Sequence, residues 1–249
     1  MNPYLKNLNK IEFVLTYACT GRCRHCSEGA HTDCSEEIDP RVAADAVRKI
    51  VSNYDIKTVM VFGGEPLLCL NSVMNIINTA RELNIPHRQV ITNGYFSKDS
   101  KKIHHIAESL NACGVNDILL SVDAFHQEYI PLDTVKFFAK ELKRCGVPTR
   151  LSPAWLVAPD HPNPYNLRTR EILESFKPLD IPVGKGNIVF PEGNALKYLS
   201  EYFVDIHPEN PYVEDPRDVR CLSFSPDGDV LDGNLYEKDI MEILENYDP

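Results

Sequence analysis

The chain has 249 residues, 43% of them hydrophobic and 25% charged, and a formal net charge of -10. At this length a chain buries roughly 70 to 75% of its unfolded surface, which suits one compact domain or one with a small appendage. The excess of 36 Asp and Glu over 26 Lys and Arg excludes a nucleic-acid groove as the main surface, because phosphate recognition concentrates cations. No basic-apolar leader and no apolar run of about 18 residues is visible, so the reading is no nucleic acid, no membrane and a cytoplasmic location.

In chain order, apolar β-branched runs alternate with helical patterns ended by Gly or Pro, the pattern of βα units on a parallel sheet. Strands are expected at about 11–18, 57–62, 88–92, 117–122, 149–156 and 183–190, with helices near 39–53, 71–83, 99–112, 133–145, 168–176 and 194–203. Asp39-Pro40 opens the first helix as N-cap and first-turn proline, and Gly114 and Gly146 close two others. Six such units predict an α/β fold, an open barrel of six strands. From Asp205 to Tyr212 prolines are too dense for a helix. Val219–Ser225 and Gly228–Leu231 then flank Pro226-Asp227-Gly228, read as a hairpin by turn chemistry, and Asp239–Asn246 reads as a closing helix. Residues 1–204 are thus expected to form the barrel, and 205–249 an extension packed on it without being an independent domain.

Eight cysteines point to a reducing compartment and to metal or buried-thiol roles. Three of them, Cys19, Cys23 and Cys26, stand at C-x3-C-x2-C directly after the apolar run Ile11 to Ala18. An odd set on a short loop is poor disulfide material. Thiolates prefer zinc or iron-sulfur clusters, and a structural zinc site wants a fourth Cys or His at finger-like spacing. A 4Fe-4S cubane held by three thiolates leaves one iron with an open position, where chemistry can occur. Cys69, Cys113 and Cys145 read as small buried apolar residues; Cys34 lies in the polar segment from Glu28 to Glu37.

This motif resembles the signature of the radical S-adenosylmethionine (radical SAM) enzymes, on the loop after the first barrel strand. The resemblance implies a partial (β/α)6 TIM-type barrel with its site at the C-terminal strand ends, as in full barrels. It also implies one 4Fe-4S cluster and S-adenosylmethionine as cofactors, the cluster cleaving the latter to methionine and a 5'-deoxyadenosyl radical. Gly63-Gly64-Glu65-Pro66, after the second strand, is similar to the family's Gly-Gly-Glu-Pro motif, which contacts the amino group of S-adenosylmethionine. Two glycines let backbone approach a ligand closely. Polar groups at the ends of strands three and four face the barrel mouth; by resemblance Ser121 and Asp123 are ribose contacts, with Asn93 behind them. Gly186-Asn187-Ile188 resembles the adenine-contact segment.

His126, in Asp123-Ala-Phe-His126, either contacts substrate, relays a proton or helps bind cofactor, since imidazole titrates near neutrality, or it caps a helix or satisfies a backbone carbonyl. Arg150 and Ser152 are possible carboxylate contacts, and Trp155 and Tyr165 read as packing. The tail from Cys221 to Val230 resembles the start of the cysteine-rich extension of peptide maturases, but the later cysteines of that pattern are absent, so one cluster is expected. Cys221 is either a buried small residue or, as in peptide epimerases, a hydrogen-atom donor. The reading that follows is a radical SAM enzyme abstracting hydrogen from a peptide or protein, reduced by a low-potential donor such as flavodoxin or ferredoxin. Its alternatives are a glycyl-radical-enzyme activase and a non-enzymatic iron-sulfur or zinc module.

Overall fold

Lys10–Val14 (β1) alternates half-buried and buried side chains, the period of a strand with two different faces. Ile11 and Phe13 turn to a helical layer and are fully buried. The computed structural model describes residues 2–29, 36–206 and 208–249; Cys34 lies outside them. After β1 come α1 (Pro40–Val51), β2 (Thr58–Phe62), α2 (Leu70–Glu82), β3 (His87–Thr92), α3 (Ser100–Cys113), β4 (Asp117–Ser121), α4 (Ala124–Gln127) and α5 (Leu132–Arg144). Then follow β5 (Thr149–Ser152), β6 (Ala154–Trp155), α6 (Pro164–Glu174), β7 (Asn187–Ile188), α7 (Gly193–Tyr198), β8 (Cys221–Phe224), β9 (Asp229–Val230), β10 (Gly233–Asn234) and α8 (Ile240–Asn246).

Six strands form one parallel sheet in the order β5-β4-β3-β2-β1-β8. Beyond Pro153 the wall continues as the parallel pair β6-β7, and the sheet does not close on itself. Helices start where the sequence supplies a cap. The Asp39 carboxylate accepts from the Arg41 amide at 2.8 Å and Asp99 from that of Lys101 at 2.9 Å, each satisfying a donor that the helix leaves orphaned. Ala43, Val47 and Ile50 of α1, and Val73, Ile76 and Ala80 of α2, lie under the sheet with Phe13, Val61 and Val90 in one apolar core. A second cluster, with Phe125, Leu156, Val189, Leu199 and Phe203, packs beneath the cysteine loop and includes Cys23.

Three expectations are corrected. The tail hairpin is not formed as read: the turn is there, with Gly228 donating to Ser225 O at 3.0 Å, but Cys221–Phe224 runs parallel to β1 as the sixth sheet strand. The edge of β1 offers unpaired backbone groups, and Leu222 and Phe224 bury against the core there, Phe224 stacking on Phe13 with ring centroids 4.7 Å apart. The short antiparallel hairpin is instead β9-β10. The fifth and sixth predicted strands are also broken up. Pro153 lacks an amide hydrogen and interrupts the ladder, and a side chain on Gly186, at φ +70°, would meet Pro153 O at 2.0 Å.

Candidate active site

A cavity of about 220 Å³ opens at the C-terminal ends of β2 to β7. Register explains its floor. Phe62, Ser121 and Ser152 end their strands, and Ile91 stands one residue before the end of β3, on the same sheet face as Lys10 and Glu12; all four line the cavity. So do Cys19, Cys23, Cys26, Gly63, Gly64, Asn93, Asp123, His126, Asn187 and Ile188. Glu65, Pro66 and Cys221 are not among the lining residues.

The root of the cysteine loop is held by the two glycines. Gly64 donates its amide to Thr16 O at 2.7 Å and Glu65 to Ala18 O at 2.8 Å. A side chain on Gly64 would lie 2.1 Å from Ala18 O; one on Gly63, which has φ +132°, would lie 2.6 Å from Thr16 O. Glycine is therefore required here by the approach of another backbone segment, while the other side of the pair faces the cavity.

Glu65 is fully buried beneath this contact. Its carboxylate accepts from the Leu67 amide at 3.0 Å, the Thr92 hydroxyl at 2.7 Å and the Asn93 amide at 2.9 Å. Burial pushes the carboxyl up to about 7, against the pull of these donors. It thus ties the end of β2 to the end of β3, and Asn93 carries the tie onward, its side-chain amide donating to Thr20 Oγ1 at 3.1 Å and to Cys19 Sγ at 3.6 Å. Glu65 thus makes its contacts within the protein and does not itself line the cavity. Pro66, also buried, begins the 3₁₀ turn Pro66–Cys69.

Burial pushes the Cys19 thiol up to about 11 and raises those of Cys23 and Cys26; Cys23 feels both other thiols. Three thiolates on one loop, Cys23 buried and Cys19 and Cys26 half-buried, need compensating positive charge, which a bound iron centre supplies. The donor set therefore fits a 4Fe-4S cluster on three thiolates. Asn194 braces the loop from α7, donating to Cys23 O and Gly29 O at 3.1 Å each.

The facing wall is built on Asp123, fully buried. One oxygen accepts from the His126 amide at 3.0 Å, capping α4; the other meets His126 Nδ1 at 2.8 Å and the Ala154 amide at 3.0 Å. His126 and its hydrogen bonds hold the Asp123 carboxyl down at about 2 against the cost of burial. Asp123 thus lines the cavity with its carboxylate engaged by protein donors, and His126 lines the cavity from within the helix that Asp123 caps. The sequence missed His25. Its ring stacks on Phe125 at 4.8 Å and meets His126 edge-on at 4.8 Å, and its Nδ1 is buried without a hydrogen-bond partner among the described residues. Burial lowers its pKa to about 4. A ligand atom each from Cys23, His25 and His126 falls within 4.8 Å of the others.

Tyr212, Phe190 and Val189 also line the cavity without any motif having marked them; the aromatic Tyr212 within a proline-dense tail was the one available signal. Ser152 faces the cavity, whereas Arg150 binds Asp117 through two contacts of 2.9 Å. Tyr165 stacks on Phe125 at 4.4 Å, so it packs, as expected. Cys221 opens β8 opposite Lys10, at the N-terminal end of the sheet, and four residue steps of β1 separate that level from the strand end, roughly 13 Å at about 3.3 Å each.

Parallel strands, three thiols at their C-terminal mouth and a cavity beside them define an iron-sulfur barrel enzyme. A family model described as Radical SAM superfamily matches residues 13–144, and the chain belongs to that superfamily. It is therefore an enzyme whose cofactors are a 4Fe-4S cluster and S-adenosylmethionine, and the reading as a non-enzymatic module is set aside. A probable GTP 3',8-cyclase of Saccharolobus islandicus is 26% identical over 216 residues, which is 80% of this chain and 66% of the relative. The chain thus spans just under two thirds of that relative. Streptococcus suis SuiB bound to S-adenosylmethionine superposes with a TM-score of 0.63 at 15% identity, over 98% of this chain and 66% of SuiB. Bound to its precursor peptide SuiA, the TM-score is 0.59 at 13% identity, over 98% and 65%. Native anSMEcpe with bound AdoMet gives 0.58 at 14% identity, over 96% and 80%. These likenesses establish the fold.

Proposed function

We propose that this enzyme cleaves S-adenosylmethionine reductively and uses the 5'-deoxyadenosyl radical to abstract hydrogen from a peptide or protein. The observation that carries the reading is the convergence of Cys19, Cys23 and Cys26 with Gly63-Gly64, the polar Asn93, Ser121 and Asn187, and Ile188 on one cavity. When bound, the cluster supplies the electron that breaks the sulfonium bond, and thiolate clusters span roughly -700 to +450 mV, the low end being needed here. Cys19, Cys23 and Cys26 hold it. Gly63 and Gly64 offer backbone to S-adenosylmethionine, Glu65 and Asn93 fix the strand ends behind them, and Asp123 orients His126 and the amide of Ala154. Cys221, a strand length away, is read as a packing residue.

The substrate class rests on charge. Among the described residues, none that lines the cavity is Lys or Arg, whereas Glu28 and Asp123 do; the nearby cations Lys10 and Arg150 each pair with a carboxylate, Glu12 at 2.6 Å and Asp117 at 2.9 Å. A nucleoside triphosphate, such as the relatives named for GTP act on, needs cationic partners; an uncharged peptide segment does not. SuiB, of the same fold, holds a precursor peptide. Superfamily members need a reductant, and a flavodoxin or ferredoxin suits this one, in a cytoplasm; none of the seven described cysteines is in a disulfide. No helix among the described residues is long and apolar enough to cross a membrane.

Reconstituted protein with dithionite is expected to release 5'-deoxyadenosine from S-adenosylmethionine, and Cys23→Ala protein to release none. Equal rates in the two proteins overturn the cluster assignment. Peptides encoded beside the gene should raise turnover where GTP does not; stimulation by GTP alone would move the enzyme to the nucleotide class.

A further inference from the structure

The sheet is open between β7 and β8, and the segment 208–218 crosses that opening. At one end Asn210 donates to Glu192 at 3.1 and 3.2 Å, just after β7. At the other, Glu214 accepts from the Arg220 amide at 2.7 Å and the Cys221 amide at 3.3 Å, at the start of β8. Between them Tyr212 turns inward. It lines the cavity and lies edge-on to Phe190 at 6.1 Å, while its hydroxyl lies in the field of Lys10 and Glu12. Tyr212 therefore bridges β7 and β1 across the missing strand, yet 54% of it remains exposed, so one face of the ring is in water while the other bounds the cavity. The neighbouring Val213 is 74% exposed, which leaves the inward wall of this crossing to Tyr212.

We propose that Tyr212 is the shield of the radical site: its ring closes the lateral opening of the barrel and keeps solvent-borne hydrogen donors from the cavity until substrate takes their place. This rests on the radical chemistry proposed above. The ring does the closing, so Phe in its place keeps the shield and Ala removes it.

The test uses reconstituted holoenzyme in deuterated buffer with dithionite, S-adenosylmethionine and dithiothreitol, without substrate. A 5'-deoxyadenosyl radical reached by the thiol takes a deuterium atom from S–D, giving monodeuterated 5'-deoxyadenosine and a thiyl radical; thiyl radicals pair to disulfide. Tyr212→Ala is expected to raise the deuterated fraction several-fold, with Tyr212→Phe at the wild-type level. In parallel, amide exchange is followed by mass spectrometry. S-adenosylmethionine should slow exchange at residues 210–214 in wild type and Tyr212→Phe but not in Tyr212→Ala. An unchanged deuterated fraction in Tyr212→Ala, or no protection of 210–214 in wild type, overturns the shield. If wild type yields no 5'-deoxyadenosine at all, the proposed chemistry fails, and the exchange data still decide whether Tyr212 closes over the cavity.

Discussion

Asp123 shows what a single carboxylate does at this site. It makes three hydrogen bonds with one helix cap, one imidazole and one amide of the opposite strand, and titrates at about 2 against an ordinary 3.8. As pH falls the unfolded chain takes up the proton first, so the stability this group contributes is fully present above about pH 4 and is lost as pH falls through about 2. The difference corresponds to about 2 kcal/mol. Asp123→Asn should cost about that much at pH 7 in urea unfolding, with the gap to wild type narrowing only below about pH 4; a gap that closes already near pH 6 would mean another group titrates. Glu65 lies deeper. Removing it leaves the Leu67 amide, the Thr92 hydroxyl and the Asn93 amide without their acceptor, at about 1 to 3 kcal/mol for each buried group left unsatisfied. Glu65→Ala is therefore expected to lower the urea midpoint clearly and to weaken S-adenosylmethionine binding about tenfold or more. A wild-type midpoint would show that these bonds carry no net stability.

At the scale of elements, the cysteine loop depends on two backbone ladders. One is the ordinary β1-β2 pairing; the other is its extension past Phe62, where Gly64 and Glu65 donate to Thr16 O and Ala18 O. The second exists because no side chain intervenes. Gly64→Ala would place a Cβ at 2.1 Å from Ala18 O, so backbone must move, and overpacking of this kind costs about 1 to 3 kcal/mol or more. The expected outcome is a folded protein with reduced iron after reconstitution, because the shift is delivered one residue before Cys19. Full iron content in Gly64→Ala would show that the loop tolerates the displacement. Glu65 and the glycines thus act as one unit with the loop, although Glu65, unlike the glycines and the cysteines, does not line the cavity.

At the scale of the molecule, the C-terminal segment is tied to the barrel through β8. Phe224→Ala removes a fully buried ring stacked on Phe13, and truncations of that type cost about 3 to 5 kcal/mol; a loss near zero would mean that β8 is peripheral to folding. The same architecture separates the remaining described cysteines. Cys69 follows β2, Cys113 ends α3, Cys145 follows α5 and Cys221 starts β8, so they do not share a loop as the cluster ligands do. About four irons per chain are expected by colorimetric analysis, as for one cubane, and a value near eight would reveal a second cluster.

The sequence by itself determined the alternation of strands and helices, the caps at Asp39 and the C-terminal glycines, the order of the units and the cysteine motif, because each of these is written in local period, turn chemistry or spacing. It also located Gly63-Gly64, Asn93, Ser121, Asp123 and His126 at strand ends, which a parallel barrel brings to one mouth. Only the tertiary structure decided what those side chains face. Glu65 and Asp123 look alike in sequence as carboxylates after strands, yet each is engaged by protein donors contributed by other units. Cys221 lies at the wrong end of its strand, since strand direction and register depend on the β1 edge that Phe224 seeks. His25 and Tyr212 reach the cavity through ring contacts with residues about 100 and 20 positions away in sequence, and such contacts leave no local period to read.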